Sequence, residues 1–198
     1  MNFQPDMANP PDSGILVLCT ANLCRSPMAA ALLARRLSRL GVAVPVRSAG
    51  IGGNGDPPHA EAVSVMAGYG LRIAAHRSRA VGSDDLAQAS LVLAMARDHL
   101  RYAVVTEPAV WPRAFTLREL VRRGELIGPR PPDEPLAAWL ARAHAGRDRA
   151  SLLGDSPADD VADPAGGPPR AYAETASLLD RLTARVIELG WGHARTGS

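Results

Sequence analysis

Residues 15–27 read ILVLCTANLCRSP, and this stretch decides the fold. The aliphatic run at 15–18 predicts a buried strand that ends at Cys19. A short loop follows, and Pro27 suits the first turn of a helix that begins near Ser26. The N–H groups of the loop and the positive end of the helix would then converge on one point. That arrangement favours the binding of a doubly charged oxyanion.

Two side chains in this stretch indicate chemistry on the anion. Cys19 would lie beneath it as a nucleophile, because a helix N-terminus and a neighbouring arginine stabilise the thiolate. Arg25 would hold the equatorial oxygens with its guanidinium fork. Simpler interpretations exist for each residue. Cys19 can be a small buried residue at a strand end, Arg25 a surface residue of the helix, and Ser26 only a helix cap.

The segment from Cys19 to Pro27 resembles the signature of low-molecular-weight protein tyrosine phosphatases, C-x-x-N-x-C-R-S-P. The asparagine, the second cysteine and the Ser-Pro pair are in register at Asn22, Cys24 and 26–27. The resemblance extends from residue 15 to about residue 120, and again from about residue 160 to residue 189. It implies a bacterial phosphate-monoester hydrolase that uses a cysteinyl-phosphate intermediate and needs no cofactor and no metal.

The resemblance also implies roles for the loop residues. Ser26 would hydrogen-bond the sulfur of Cys19 and help it to leave in the second step. Cys24 would either form a reversible disulfide with Cys19 under oxidation or remain a buried spectator. The residues expected to line the phosphate are Thr20, Ala21, Asn22, Leu23, Cys24 and Arg25.

Three more side chains are implied as supports for the loop. Asn22 is expected to adopt the left-handed conformation that an anion nest needs, which amide side chains tolerate. In the family, the matching asparagine is tied to a serine and a histidine, which correspond to Ser48 and His76. Without the resemblance, His76 would be interpreted as an ordinary turn or core histidine.

The leaving oxygen needs a proton, so a carboxylic acid must reach the site from another segment. Asp163-Pro164 lies shortly before the last predicted helix, and the family has its general acid in an Asp-Pro pair at this place. The competing carboxylates are Asp155, Asp159 and Asp160, of which Asp160 is expected to order the loop.

Strands that alternate with helices predict an α/β fold, with a parallel sheet covered on both faces. The resemblance implies four strands in the order 2-1-3-4. The predicted strands are 15–18, 42–47, 91–95 and 110–115, the last with Pro112 at a sheet edge. The predicted helices are 27–40, 59–69, 83–88, 98–105, 116–123, 136–144 and 170–189, the last ending at Gly190.

The predicted organisation is one phosphatase domain over residues 14–190. A flexible tail is expected at 1–13 and a second tail at 191–198. An extended insert, which includes the acid loop, occupies 124–168. The insert is expected either to form a lid or to add packing.

The composition excludes several classes of protein. With 46% apolar and 21% charged residues, the 198-residue chain is typical of a globular protein. A net charge of +2 and arginines without interleaved aromatic residues argue against nucleic-acid binding. No apolar run is long enough to cross a membrane and no signal-peptide pattern is present, so a cytoplasmic protein is expected. All 22 basic residues are arginine, which suggests a high-GC bacterial genome.

Two segments depart from the family pattern. Members specific for phosphotyrosine line their cleft with aromatic residues, whereas this chain has 51–54 and 165–167 at those places, without an aromatic residue. Trp111, Trp139 and Tyr172 are expected to pack in the core. The expected substrate is a phosphotyrosine protein or another phosphomonoester, and the sequence predicts no oligomeric state.

Two other functions stay open at this point. One is an arsenate reductase with a similar loop that uses a small-thiol partner, since the chain has no cysteine beyond Cys19 and Cys24. The other is a phosphate-binding or phosphoprotein-binding module without catalysis.

Overall fold

A four-stranded parallel sheet forms the centre of the chain in a computed structural model that describes residues 14–154 and 156–192. The strand order is β2-β1-β3-β4, which confirms the predicted α/β class and topology. The predicted tail at 1–13, the end of the chain from 193 and the candidate acid Asp155 lie outside the described residues. The strands are β1 (Ile15–Cys19), β2 (Val46–Gly50), β3 (Leu91–Ala94) and β4 (Ala114–Thr116).

The helices lie where the sequence predicts them, with ends that differ by a few residues. Within the described ranges they are α1 (Arg25–Arg39), α2 (Ala60–Gly68), α3 (Ser83–Gln88), α4 (Arg97–Thr106), α5 (Leu117–Ile127), α6 (Leu136–His144) and α7 (Pro169–Trp191). Two 3₁₀ helices, Pro108–Arg113 and Arg149–Leu152, complete the described elements. None of the described helices is long and apolar enough to span a bilayer.

The alternation of side chains along β1 divides the core into two layers. Ile15, Val17 and Cys19 face one cluster with α1, α2, α5, α6 and α7. Leu16 and Leu18 face the other, with α3, α4 and the first 3₁₀ helix. All five residues of β1 are buried, as expected for a central strand of a parallel sheet covered on both faces.

The predictions for strands two and four were wrong in position. Strand two was expected at 42–47, but β2 begins at Val46, after Pro45, and its last residue Gly50 pairs with Cys19. Register with β1 sets this position, and Pro45 has no N–H to donate to a sheet. Strand four was expected at 110–115, but Pro112 lies in a 3₁₀ helix and the edge strand begins only at Ala114.

The prediction that the last helix stops at Gly190 was also wrong. Helix α7 continues to Trp191, which is buried against the core. Apart from its chain neighbours and the backbone of its own helix, no heavy atom of the described residues lies within 4 Å of the place that a Cβ on Gly190 would take. Burial of the tryptophan outweighs the roughly 1 kcal/mol that a glycine costs inside a helix. The expected tail at 191–198 therefore begins inside a helix.

The insert contributes to the core through α6. Trp139 is fully buried, and its indole Nε1 donates a hydrogen bond to the carbonyl of Gly128 at 3.0 Å. A Cβ on Gly124 of α5 would lie 3.1 Å from the Trp139 ring, so the two helices meet closely at this glycine. The insert was expected either to form a lid or to add packing, and α6 packs against the core.

Truncation of this side chain tests the contribution of α6 to stability. We expect Trp139→Ala to lower the free energy of unfolding by about 3–5 kcal/mol, because it leaves a large cavity and removes a buried hydrogen bond. Urea unfolding followed by circular dichroism measures the change. Leu126→Ala is the matched control: Leu126 of α5 is 80% exposed, and its loss is expected to change stability by less than about 0.5 kcal/mol. Equal stability of Trp139→Ala and wild type would show that α6 is not part of the cooperative core.

Candidate active site

The phosphate loop, defined here as residues 19–25, turns sharply at Asn22. Asn22 has φ 57°, and among the described residues it is the only non-glycine with a positive φ. It is also completely buried. An asparagine tolerates this left-handed conformation better than most residues, and a left-handed residue within a turn is typical of the backbone nests that bind anions.

The side chain of Asn22 holds the turn in place. Its Nδ2 donates to Ser26 Oγ and to Ser48 Oγ, both at 2.9 Å. Its Oδ1 accepts from the backbone N–H of Arg79 at 3.1 Å, and its carbonyl accepts from Nε2 of His76 at 2.9 Å. The structure therefore brings Asn22, Ser48 and His76 together, as the resemblance implies.

Cys19 is buried at the carboxyl end of β1, and its Sγ lies 3.0 Å from Ser26 Oγ. Ser26 Oγ accepts a hydrogen bond from Asn22, and its single hydrogen faces two acceptors, the Cys19 sulfur at 3.0 Å and the Ala49 carbonyl at 3.4 Å. The sulfur is the nearer of the two. A hydroxyl in this position stabilises a thiolate on Cys19 more than the neutral thiol.

Cys24 has a different environment from Cys19, although both are free thiols. Burial, together with the negative charge of Asp163, raises the pKa of Cys24 to about 12. Cys24 therefore stays protonated at neutral pH, and it is a poor nucleophile there.

Arg25 connects the phosphate loop to the acid loop, defined here as residues 156–167. Its guanidinium is buried, with Nη1 donating to the carbonyl of Val161 at 3.1 Å and Nη2 to Thr20 Oγ1 at 3.0 Å. Nη2 also forms an ion pair with Oδ2 of Asp163. The side chain of Asp163 is 42% exposed, so the carboxylate closes over the loop and still faces solvent.

The two competing carboxylates within the described residues are occupied elsewhere. Asp160 accepts from the backbone N–H groups of Arg97 at 2.8 Å and Ser156 at 3.1 Å, and so it orders the loop as expected. Asp159 forms ion pairs with Arg97 and Arg122, both at 2.7 Å. Burial alone would raise the pKa of Asp159, but hydrogen bonds from these two arginines hold it below its usual value.

His99 is a site residue that the sequence analysis missed. It lies in the first turn of α4, is 1% exposed, and places Nε2 at 2.9 Å from Thr20 Oγ1. Burial lowers its pKa to about 4, so the ring is neutral at physiological pH. The predicted topology could have indicated His99. Helix α4 follows β3, and the carboxyl ends of neighbouring parallel strands meet at one edge of the sheet, so the first turn of α4 lies near the loop after β1.

Gly50 is a second missed residue, and its role is steric. A Cβ at this position would lie 2.6 Å from the carbonyl oxygen of Thr20 and 2.8 Å from the backbone nitrogen of Asn22. The phosphate loop therefore packs directly against the backbone at the end of β2. The signal in the sequence was a glycine three residues after the strand predicted at 42–47.

The two segments that the resemblance assigns to the cleft walls contain no aromatic residue. Residues 165–167 are exposed and contain no aromatic side chain, and 51–54 contain none either. Trp111, Trp139 and Tyr172 are all buried, in agreement with the expected core packing.

A buried cysteine at the carboxyl end of β1, followed by an anion-binding loop and a helix N-terminus, defines a phosphatase of the α/β class. Residues 14–125 match the low molecular weight phosphotyrosine protein phosphatase family. The chain belongs to this family, whose members are phosphoric monoester hydrolases.

The relatives of this chain include phosphatases named for tyrosine and for arginine. A probable low molecular weight protein-tyrosine-phosphatase of Ralstonia solanacearum is 39% identical over 107 residues, covering 54% of this chain and 71% of the relative. A protein-arginine-phosphatase of Geobacillus stearothermophilus is 32% identical over 175 residues, covering 88% and 93%. A solved low molecular weight protein tyrosine phosphatase from T. tengcongensis superposes with a TM-score of 0.67 at 32% identity, over 88% of this chain and 97% of that one.

Substitution of Gly50 tests the steric role. We expect Gly50→Ala to weaken the binding of inorganic phosphate at least tenfold, because the new Cβ must displace the backbone of the phosphate loop. Isothermal titration calorimetry measures the affinity. Gly52→Ala is the matched control two residues away, where a Cβ meets no heavy atom within 4 Å. If both variants bound phosphate as wild type does, the loop would not depend on the glycine.

Proposed function

We propose that this chain removes phosphate from proteins, phosphotyrosine first among them, through a cysteinyl-phosphate intermediate on Cys19. The observation that carries the proposal is the 3.0 Å approach of Ser26 Oγ to Cys19 Sγ, in a loop whose Arg25 is paired with Asp163. A nucleophile, a hydroxyl that stabilises its anion, a guanidinium and a carboxyl group thus converge at one strand end.

In the first step the thiolate of Cys19 attacks phosphorus. An S–P bond forms as the bond to the leaving oxygen breaks, while Arg25 and the N–H groups of 20–25 hold the equatorial oxygens. Asp163 donates its proton to the leaving oxygen. Its partly exposed position at the mouth of the loop suits contact with that oxygen.

In the second step water hydrolyses the cysteinyl phosphate. Asp163, now a carboxylate, removes a proton from the attacking water, and the S–P bond breaks to release inorganic phosphate. The hydroxyl of Ser26 stabilises the departing thiolate, which returns Cys19 to its initial state. Cys24, held as a neutral thiol by burial, takes no part in either step.

Phosphoarginine proteins are a second candidate substrate class. The relative from Geobacillus stearothermophilus is named a protein-arginine-phosphatase, and its alignment spans 88% of this chain, including the acid loop. The exposed segment 165–167 also provides no aromatic surface on which a phenyl ring could stack. The same nucleophile and acid would serve, since Asp163 would protonate the leaving guanidine nitrogen instead of an oxygen.

Steady-state hydrolysis with three substrates tests the proposal. We expect wild type to turn over p-nitrophenyl phosphate and a phosphotyrosine peptide, and Cys19→Ser to be inactive on both because it lacks the thiolate. Cys24→Ser is the matched control and is expected to retain activity.

A phosphoarginine peptide of the same sequence, assayed in parallel, decides between the two substrate classes. Faster turnover of this peptide than of the phosphotyrosine peptide would assign the chain to the second class. Unchanged activity of Cys19→Ser would refute the mechanism for both. Phosphate binding without any turnover would favour a binding module.

The role of Asp163 predicts a dependence on the leaving group. We expect Asp163→Asn to lower kcat for phenyl phosphate by about 10²-fold or more, and for p-nitrophenyl phosphate by less, because the better leaving group needs less protonation. Asp133→Asn, a change at an exposed carboxylate outside the acid loop, is expected to leave both rates unchanged. Equal losses on the two esters would mean that Asp163 only positions Arg25.

A further inference from the structure

His99 is buried beside the phosphate loop and has no part in the mechanism above. Its Nε2 lies 2.9 Å from Thr20 Oγ1, and the same hydroxyl oxygen accepts a hydrogen bond from Nη2 of Arg25 at 3.0 Å. Both the His99 ring and the Arg25 guanidinium are almost fully buried. Three polar groups, from the phosphate loop, α1 and α4, thus form a continuous chain beside the nucleophile.

The surroundings of the ring determine the direction of these hydrogen bonds. Within the described residues Nδ1 of His99 has no hydrogen-bond partner, and Oδ1 of Asp98 lies 3.5 Å from it. A carboxylate oxygen facing Nδ1 attracts an N–H and repels a lone pair, so the proton resides on Nδ1. Nε2 is then an acceptor, and Thr20 must donate its only hydroxyl hydrogen to His99.

This donation has a consequence for Arg25. With its hydrogen directed at His99, Thr20 Oγ1 presents only lone pairs to the guanidinium, and a hydroxyl that donates is a better acceptor in turn. The opposite tautomer of His99 would direct its own N–H at the same oxygen and compete with Arg25.

We propose that His99 is a positioning residue which acts through Thr20 to hold the guanidinium of Arg25 in its phosphate-binding orientation. The proposal rests on the proposed function, because it assigns His99 to the same site. His99 does not contact the substrate. Its contribution is to orient the Thr20 hydroxyl, which together with Asp163 holds Nη2 of Arg25, while the Val161 carbonyl holds Nη1.

The charges around His99 are consistent with a neutral ring in this role. Burial lowers its pKa most, Asp98 raises it, and the adjacent Arg25 lowers it again. The carboxylates of Asp163 and Asp160 raise the pKa of His99, each by less than Arg25 lowers it. A cationic ring at this position would place a second positive charge beside the guanidinium and would lose the acceptor that Thr20 needs.

A double-mutant cycle on full-length protein tests the proposal with two readouts. The readouts are inorganic-phosphate affinity by isothermal titration calorimetry, and kcat/KM for p-nitrophenyl phosphate. We expect His99→Leu and Thr20→Val each to weaken phosphate binding and lower kcat/KM about tenfold, the scale of one hydrogen bond to a charged group. The double variant is expected to lose no more than either single variant, because both changes remove the same link.

His99→Gln is the matched control, because it is similar in size to leucine and can place an amide oxygen near the position of Nε2. We expect it to recover most of the phosphate affinity that His99→Leu loses. Multiplicative losses in the double variant, or a glutamine variant no better than leucine, would overturn the proposal. If His99→Leu does not fold, Thr20→Val decides: unchanged phosphate affinity in that variant refutes the link.

The calorimetric readout separates this proposal from the proposed function. Wild type that binds phosphate but does not turn over the ester would refute the hydrolase, while the binding cycle would still support or overturn the role of His99.

Discussion

The conformation of Asn22 is the constraint on which the site depends. A left-handed residue without access to solvent is stable only where its surroundings satisfy its polar groups. Here Ser26, Ser48, the backbone of Arg79 and His76 occupy the donors and acceptors of Asn22. These partners come from α1, β2 and the segment before α3, so the loop has its shape only when the sheet is assembled.

A second set of contacts aligns the acid with the nucleophile. The acid loop is joined to β3 by the hydrogen bond from Val161 N to the Met95 carbonyl at 2.7 Å, and to α4 by the ion pair of Asp159 with Arg97. Arg25 reaches the same loop from the opposite side. The carboxylate of Asp163 is thus positioned by contacts between segments far apart in sequence, which suits a group that must meet a developing charge with little reorganisation.

Local sequence patterns predicted the elements better than their ends. The helices predicted at 116–123 and 136–144 correspond to α5 and α6, because capping, here by Thr116, and amphipathic periodicity are local properties. The ends of β2 and β4 were misplaced, since a short strand is defined by its partner's register. Gly190 did not end α7, because tertiary burial of Trp191 prevailed over a local helix-stop signal.

The sequence by itself determined the order of strands and helices, the phosphate loop and its cysteine, and the Asp-Pro pair that precedes the last helix. Each of these features is encoded by residues close together along the chain, because secondary-structure propensity and motif spacing are local properties. Only the tertiary structure decided that Asp163 pairs with Arg25, that Gly50 must lack a side chain, and that His99 reaches Thr20. Each of these depends on distances between segments up to 138 residues apart, which no local pattern encodes.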